Sequence, residues 1–383
     1  PARPAPPDPR GVRMPRSHRV AKTMALAGAL IAAVAVSVAP SSADSHWEVV
    51  ASGLDNPRHL TFSPAGALYV VEAGRGGEGP CVEHPQLGEF CLGFSGAVTE
   101  VRDDGPDERV LTGLPSILSE EDALGPSDIS FTGSQKFVLA VGLGGSDEFR
   151  AAFGPGGALL GTLVTGKLRH GGFSLFADVL ANEAVANPEP TDIDSNPVGL
   201  VRQGEGYLVA DAGGNAVVRA SHKGAFTTIA VLPPGSALAP PFLGLPPGTQ
   251  IPTDAVPTSV VQGPDGAYYI SQLTGFPFEQ GDANIWRVVP GEAPTVYASG
   301  LTNLTDLAFA PDGSLYAVEI ASTGLLNGPI GALVRITPGA SQHTTVAGDL
   351  FAPYGVALTD VAAYVTTCAV CVGGGEVIKI PLD

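Results

Sequence analysis

Charged residues are scarce in this chain, and the two signs are unequal. Only 15% of the residues are charged, and 38 acidic residues outnumber 20 basic ones, which gives a net charge of −18. A surface this acidic repels phosphate backbones, so nucleic acid is excluded as a partner. Cysteine (4), methionine (2) and tryptophan (2) are also few, whereas 44% of the residues are hydrophobic. That hydrophobic share argues against an intrinsically disordered chain.

Long apolar runs are absent apart from one near the beginning. Residues 24–39 read MALAGALIAAVAVSVA and follow a short stretch that carries four basic residues. Basic residues, a short apolar run and small residues after it are typical of a secretory signal peptide, with an uncleaved membrane anchor as the alternative. We therefore assign residues 1–43 to an N-terminal extension and signal peptide and residues 44–383 to one secreted domain. After cleavage we expect an extracellular protein without membrane association.

Glycine (50) and proline (35) are abundant, and they punctuate a repeated hairpin. Residues 60–72 read LTFSPAGALYVVE, and residues 307–319 read LAFAPDGSLYAVE. Alternating apolar runs around a Pro-Asp-Gly or Pro-Ala-Gly turn predict two antiparallel strands. Six such hairpins begin near residues 57, 126, 197, 257, 304 and 353. Four-strand units at this spacing predict an all-β, six-bladed β-propeller.

The last repeat ends without a fourth strand, and a matching segment stands at the other end of the domain. Residues 47–54, WEVVASGL, closely match PTVYASGL at 294–301, where a fourth strand is predicted. We predict that residues 47–54 join the last blade and close the ring, because closure removes the exposed edges of the terminal sheet. The domain is expected to be a monomer. An insertion at 147–164 is predicted to hold a short helix that covers the channel.

Several phrases resemble a known family. ADAGGNA at 210–216, LTGFPF at 273–278 and the repeated hairpins are similar to the ScyD/ScyE family of secreted bacterial propellers, associated with biosynthesis of the pigment scytonemin. The resemblance spans essentially residues 46–383 and implies a secreted six-bladed propeller without a catalytic signature. More distantly, the repeats resemble NHL-repeat proteins, gluconolactonase-like propellers and quinone-dependent sugar dehydrogenases. A fold does not fix a function.

Two sets of polar residues recur at fixed repeat positions. The first set lies at the beginning of the first strand, where one repeat position holds Asn56, Asn196 and Asn303 and another holds His59, Asp128 and Asp306. The second set lies at the end of the second strand and consists of Glu72, Asp211, Gln272 and Glu319. In a propeller both positions lie at one end of the channel. Two interpretations stay open: the side chains bind a ligand or Ca²⁺ at the channel mouth, or they satisfy backbone donors at strand ends. No Lys or Arg occupies equivalent positions, so the carboxylates are expected to repel one another.

Four cysteines, Cys81, Cys91, Cys368 and Cys371, are expected to form disulfides after export. Three pairings are possible, of which Cys81–Cys91 with Cys368–Cys371 is favoured by proximity, while a cross-pairing would link the ends of the ring. A redox motif and a four-cysteine zinc site are the alternatives.

Three functions remain open from the sequence. The first is a secreted binding or accessory protein for a small extracellular molecule or an extracellular protein, with Ca²⁺ as its one expected cofactor. The second is a metal-dependent, lactonase-like hydrolase that uses the same ring of residues. The third is a quinone-dependent sugar dehydrogenase, which is weakened because no basic cluster is available for a quinone's carboxylates. Catalytic residues are not assigned.

Overall fold

A computed structural model describes residues 47–120, 122–169, 172–190, 192–222 and 224–382. The predicted signal peptide at 1–43 lies outside the described residues. Most of the described chain is antiparallel sheet, and the helices are short: α1 (Asp147–Ala152), α2 (Val179–Ala186) and three 3₁₀ turns at Gly154–Gly157, Pro241–Leu243 and Leu325–Asn327. Within the described residues no helix has the length and hydropathy needed to cross a membrane.

Six antiparallel sheets of four main strands form the body of the domain. The first three sheets contain β2 (Pro57–Phe62), β3 (Leu68–Glu72), β5 (Gly88–Val101) and β6 (Glu108–Leu118); β8 (Pro126–Phe131), β9 (Lys136–Val141), β10 (Thr162–Lys167) and β11 (Phe173–Asp178); and β12 (Pro197–Gln203), β13 (Gly206–Asp211), β14 (Ala216–Ser221) and β15 (Phe226–Val231). The next three contain β18 (Pro257–Gln262), β19 (Tyr268–Gln272), β20 (Ala283–Val288) and β21 (Thr295–Leu301); β22 (Leu304–Phe309), β23 (Leu315–Glu319), β24 (Ile330–Arg335) and β25 (Thr344–Phe351); and β26 (Val356–Leu358), β27 (Ala362–Thr367), β28 (Gly375–Pro381) and β1 (Glu48–Leu54).

The first strand of each hairpin is the innermost strand of its sheet. Strands β2, β8, β12, β18, β22 and β26 each contact the next in this order, and β26 contacts β2, so the sheets surround a central channel. This arrangement is a β-propeller. Turns such as those at Gly66, Gly266 and Gly313 adopt φ between 81° and 86°, which explains the repeated glycine after the proline.

Ring closure by the N-terminal strand is confirmed. Strand β1 pairs with β28, with Glu48 opposite Lys379 and Leu54 opposite Gly375. Ala51 and Leu54 enter a buried cluster with Leu60 and Val377, which lies between the last sheet and the first. The strand begins one residue later than predicted.

The hydrophobic core is divided among the interfaces between neighbouring sheets. Six buried clusters fill these interfaces, so each sheet buries both faces against its neighbours. Alternating apolar residues on both faces of each sheet produce this distribution. The largest cluster, between the first two sheets, includes Phe90 from the beginning of β5 and Phe149 and Phe153 from the 147–164 insertion.

Four strands lie outside the main set. Strand β4 (Cys81–His84) forms a hairpin with β5, β7 (Ala123–Leu124) lies beside β6, and β16 (Gly235–Leu238) pairs with β17 (Gln250–Thr253) as a separate two-stranded sheet. The predicted helix in the 147–164 insertion is present as α1, which begins after Ser146, whose Oγ accepts a hydrogen bond from the Phe149 N–H. The fourth strand predicted at 173–180 ends at Asp178, where α2 begins.

Candidate functional site: the channel cluster

The candidate site is built from the third residue of each of the six repeated hairpins. In chain order these residues are His59, Asp128, Gly199, Ser259, Asp306 and Gly355. These residues form two half-rings of three, and each half-ring contains a variable residue (His59 or Ser259), then an aspartate and then a glycine. A Cβ at Gly199 would stand 2.7 Å from the Ser259 Cα, and one at Gly355 would stand 2.8 Å from the His59 Cα. Glycine is therefore required at these two positions, because neighbouring blades approach closely there.

The two aspartates join neighbouring sheets. Asp128 Oδ2 accepts a 2.7 Å hydrogen bond from the Leu200 N–H of the next sheet, and its Oδ1 accepts one from the Ile129 N–H at 2.7 Å. Asp306 repeats the arrangement with the Val356 N–H at 2.9 Å and the Leu307 N–H at 2.7 Å. The bare glycine in the next sheet leaves room for each carboxylate to reach across. Both aspartates therefore have a structural role at the channel wall.

His59 is the member of the ring whose hydrogen bonds are incomplete. Its side chain is buried, and Nδ1 lies 3.1 Å from the Ser127 carbonyl oxygen. Nε2 lies 3.5 Å from Asp306 Oδ1 and has no hydrogen-bond partner. Burial lowers the pKa of His59, but the charges of Asp306 and Asp128 outweigh burial and raise that pKa above its ordinary value. The negative charges around His59 therefore favour its protonated form relative to a histidine that is buried alone.

The carboxyl groups beside His59 are also perturbed. Burial, partly offset by the nearby imidazolium, raises the pKa of Asp128 to about 6 and raises the pKa of Asp306 as well. Ser259 Oγ donates to Asp306 Oδ1 at 2.7 Å. Two carboxyl groups with raised pKa values thus lie beside an imidazole whose pKa is also raised, and perturbed pKa values of this kind are common at functional sites.

Arg58 and Tyr354 complete this channel cluster, which we define as Arg58, His59, Asp128, Asp306 and Tyr354. The Tyr354 ring meets the His59 ring edge-on, with 5.2 Å between centroids, and the Arg58 guanidinium lies 4.9 Å from the Tyr354 centroid. Arg58 also donates to the Ala369 and Ala123 carbonyl oxygens and pairs with Asp122. The sequence prediction missed Tyr354, although it occupies the second repeat position, next to the aligned polar residues.

The residues predicted at the ends of the second strands have other partners. Glu72 is fully buried, and its carboxylate accepts bonds from the Asp55 N–H, the Thr99 hydroxyl and the Arg109 guanidinium, at 3.0 and 2.7 Å for Arg109. The expectation that no basic residue relieves these carboxylates is therefore wrong for Glu72. Arg109 comes from the fourth strand of the same sheet, a position that the repeat alignment did not consider.

Asp211 and Glu319 repeat the backbone contact of Glu72. Asp211 accepts from the Asn196 N–H at 2.6 Å, and Glu319 accepts from the Thr302 N–H at 2.9 Å. Gln272 Oε1 instead accepts from the Trp286 Nε1–H at 3.0 Å. Satisfying donors near strand ends, the second interpretation of the sequence pattern, describes these contacts. In the described part of the chain, no three of the predicted channel-mouth residues bring carboxylate or imidazole ligand atoms within 4.8 Å of one another.

The three aligned asparagines connect loops. Asn56 Nδ2 donates to the Gly74 carbonyl oxygen at 2.7 Å, and Asn303 Nδ2 donates to the Leu273 carbonyl oxygen at 2.8 Å. Asn196 Oδ1 accepts from the Leu143 N–H at 3.1 Å. Asn303 and Asn196 each reach the preceding sheet, so they tie neighbouring blades together at the channel end.

Both disulfides join cysteines that are close in sequence, which is the pairing that the sequence favoured. Cys81 bonds to Cys91 across the β4–β5 hairpin, and Cys368 bonds to Cys371 in the loop before β28. Glu89 lies near the first pair, but sulfurs already joined to each other are not metal ligands. The zinc and redox alternatives have no support in this geometry.

Fold and channel together define a β-propeller with a charged, hydrogen-bonding channel cluster. In fold the chain is similar to a gluconolactonase from Xanthomonas campestris, with a TM-score of 0.52 and 11% identity over 88% of this chain and 89% of that one. It is also similar to a glucose dehydrogenase, with a TM-score of 0.51 and 15% identity over 88% and 99% of the two chains. No family model and no curated protein matches the sequence. At these identities the likeness shows the fold alone.

Proposed function

We propose that the protein is a secreted, six-bladed propeller of the ScyD/ScyE type that binds a small extracellular molecule in its channel. The observation that carries this proposal is the buried His59 Nε2, which has no hydrogen-bond partner although it faces the channel cluster. A buried donor without an acceptor is unfavourable by about 1–3 kcal/mol. A ligand that supplies the acceptor recovers this energy. Asp128 and Tyr354 are partly exposed, which supports access of a ligand to the cluster.

The chemistry of the cluster favours a small, neutral, polar ligand. The imidazole of His59, whose pKa is raised, disfavours a cation, and the carboxylates of Asp128 and Asp306 disfavour an anion. A hydroxyl or carbonyl oxygen can accept from Nε2–H, hydroxyl hydrogens can donate to Asp128, and Tyr354 offers an apolar ring edge. Sugars and sugar lactones combine these groups and are the ligand class we propose.

Calorimetric titration with glucose and with glucono-1,5-lactone tests binding. The informative variant is His59→Ser, because this chain itself carries Ser259 at the matching position of the other half-ring. An exposed histidine outside the channel, His222, gives the control His222→Gln. We expect at least one probe to bind the native protein and the control with equal affinity, and to bind His59→Ser at least about tenfold more weakly. Equal affinity in all three proteins, or no binding of either probe, contradicts the proposal.

A lactonase-like hydrolase is the second candidate, favoured by the pKa of Asp128. A carboxyl group with a pKa of about 6 beside an imidazolium suits a general base near neutral pH. The donor set in the channel does not fit a metal ion, since each aspartate already accepts two backbone N–H bonds and His59 Nδ1 faces a carbonyl oxygen. We therefore derive no metal-assisted step. A pH-stat assay with glucono-1,5-lactone, comparing the native protein with Asp128→Asn, separates turnover from binding without turnover.

The quinone-dependent dehydrogenase gains no support from the described residues. Arg58, the basic residue of the cluster, already bonds two carbonyl oxygens and Asp122, so it is not free for a quinone carboxylate. Secretion remains a proposal, supported by the apolar segment at 24–39 and by the two disulfides. We further propose an extracellular monomer whose acidic charge excludes nucleic acid.

A further inference from the structure

One end of the propeller, which we call the mouth face, carries most of the exposed large hydrophobic side chains. At this end the first strand of each sheet begins and the second strand ends. Loops from the second to the third strand, and from the fourth strand to the next sheet, lie there because neighbouring strands are antiparallel. Among the described residues, the exposed large hydrophobics away from this face are Val49, Leu175 and Val296 on outermost strands and Val361 in a turn at the opposite end. Exposed apolar surface is therefore unequal between the two ends of the channel.

Part of this surface is a connected group over the last three sheets, which we call the apolar arc: Phe242, Phe276, Leu326, Ile330, Phe351 and Val370. Phe242 lies before the fourth sheet, is 63% exposed, and has its ring centroid 6.2 Å from that of Phe276. The Phe276 and Phe278 centroids are also 6.2 Å apart, in the loop between β19 and β20. A Cβ at Gly324 would stand 2.5 Å from the Phe278 carbonyl oxygen, so the turn that carries Leu326 lies against this loop.

The arc continues on the fifth and sixth sheets. Ile330 stands opposite Phe351 where β24 pairs with β25, and both side chains are exposed. The Phe351 carbonyl oxygen accepts a 2.8 Å hydrogen bond from the Cys368 N–H, which holds the loop of Val370 beside it. The arc therefore extends over three neighbouring sheets.

The fold does not require the arc. Its residues are absent from all six buried clusters between the sheets. Phe242 belongs to the proline-rich segment around β16 and β17, which has no counterpart in the other repeats. Contiguous exposed apolar surface that the core does not use is typical of an interaction site.

Acidic side chains border the arc. The Asp254 carbonyl oxygen accepts a 2.8 Å hydrogen bond from the Gly275 N–H, so Asp254 lies beside Phe276, and Glu279 and Asp282 lie in the same loop as Phe276. All three acids are exposed, and among the described residues none of them forms an ion pair with Lys or Arg. The basic residues that reach the mouth face are each paired with an aspartate or a glutamate, and they are Arg58, Arg75, Arg109 and Arg150. The border of the arc therefore carries uncompensated negative charge.

We propose that the apolar arc binds a basic, amphipathic segment of a partner protein, with apolar side chains on the arc and Lys or Arg beside the bordering acids. A second copy of this chain does not fit, because the acids around two facing arcs would repel one another. An anionic lipid surface is opposed by the same charges. Charge complementarity thus selects a cationic partner.

Fluorescence anisotropy with a labelled amphipathic peptide of leucine and lysine tests this surface. The double variant Phe242→Ser with Phe351→Ser removes exposed apolar side chains from two parts of the arc, and the control Val296→Ser with Val361→Ser removes two from elsewhere. We expect the native protein and the control to bind the peptide with equal affinity, and the arc variant to bind it at least about tenfold more weakly. Equal affinity in all three proteins, or no binding by the native protein, overturns the proposal.

Charge is tested with Glu279→Gln and Asp282→Asn together, against Asp104→Asn and Glu292→Gln in turns at the opposite end. Only the first pair should weaken binding, and a peptide in which glutamate replaces each lysine should not bind. Equal binding of the two peptides, or equal loss in the two pairs of variants, contradicts the proposal. A dimer in sedimentation velocity that Phe351→Ser abolishes would assign the arc to a second copy and would also overturn it.

Hydrogen exchange of the native protein decides if variants of the arc fail to fold. The leucine–lysine peptide should slow exchange of backbone amides at 238–245, 324–330 and 368–372, the segments that carry or adjoin the arc. Slowing confined to other segments refutes the assignment of this surface.

Discussion

The pairing of Glu72 with Arg109 gives the sharpest stability prediction. Glu72 is fully buried at the corner where β1 leads into β2, and Arg109 donates to both of its carboxylate oxygens. Removing one partner of a buried ion pair typically destabilises a protein by about 3–5 kcal/mol. The Arg109 side chain is 41% exposed, and Glu72 keeps the bonds from Thr99 and the Asp55 N–H, so the loss should fall at or below the smaller end of that range. We expect Arg109→Met to lower the free energy of unfolding by about 2–3 kcal/mol.

Urea denaturation followed by tryptophan fluorescence measures this change. The control is Arg287→Met, which removes two hydrogen bonds to Asp265 at the exposed surface and should leave the free energy of unfolding nearly unchanged, because solvent screens this ion pair. The double variant Glu72→Gln with Arg109→Met should lose less than the sum of the two single changes, because no buried charge is then left without its partner. If Arg109→Met and Arg287→Met are equally mild, Glu72 does not depend on Arg109, and the reasoning about this corner is refuted.

Three further predictions concern closure, disulfides and pH. Deleting residues 44–54 removes Leu54, whose burial contributes about 2 kcal/mol, and exposes the edge of β28. The melting temperature should therefore fall, and size-exclusion chromatography should show association. An unchanged melting curve would contradict closure of the ring by the N-terminal strand. Non-reducing mass spectrometry after proteolysis should find peptides joined through Cys81–Cys91 and Cys368–Cys371, and cross-paired peptides would exclude these local bridges. Burial raises the folded-state pKa of Glu183 from 4.5 to about 8, so its stabilising contribution is present below pH 4.5 and is lost as pH rises through about 8. The native protein should therefore lose stability over this range, with a smaller loss in Glu183→Gln, and parallel pH curves would refute that assignment.

The fold was predictable because its determinants are local and repeated. Alternating apolar residues on both sides of a short turn recur six times, and three of the copies carry a Pro-Ala-Gly or Pro-Asp-Gly turn, so the copies specify similar hairpins. Closure was predictable because residues 47–54 carry the pattern of a fourth strand. The Pro-rich hairpin of β16 and β17 has no counterpart in other repeats, so the alignment gave no sign of it.

The candidate site was predictable only in part, because the direction of a side chain depends on register. The pairing register of β8 shifts between Pro126 and Asp128, and that of β22 shifts between Leu304 and Asp306. The first and third residues of these strands therefore do not keep the regular alternation of an antiparallel strand. The sequence alignment treated strand beginnings and strand ends as one ring. The prediction missed Arg109 because it lies 37 residues from Glu72 on another strand.

The two half-rings of the channel explain why His59 is the informative residue. Asp128 with Gly199, and Asp306 with Gly355, repeat one contact between neighbouring sheets, so four of the six positions are accounted for by assembly of the ring. Ser259 is accounted for as well, since its hydroxyl donates to Asp306 at 2.7 Å. His59 occupies the matching position in the first half-ring, yet its Nε2 makes no hydrogen bond. A serine there would suffice for the contacts between neighbouring sheets, so the chain carries a larger and incompletely bonded side chain at this position. We therefore expect His59→Ser to remain folded, with a lower melting temperature because Asp128 and Asp306 lose the imidazole between them, and to lose the ligand.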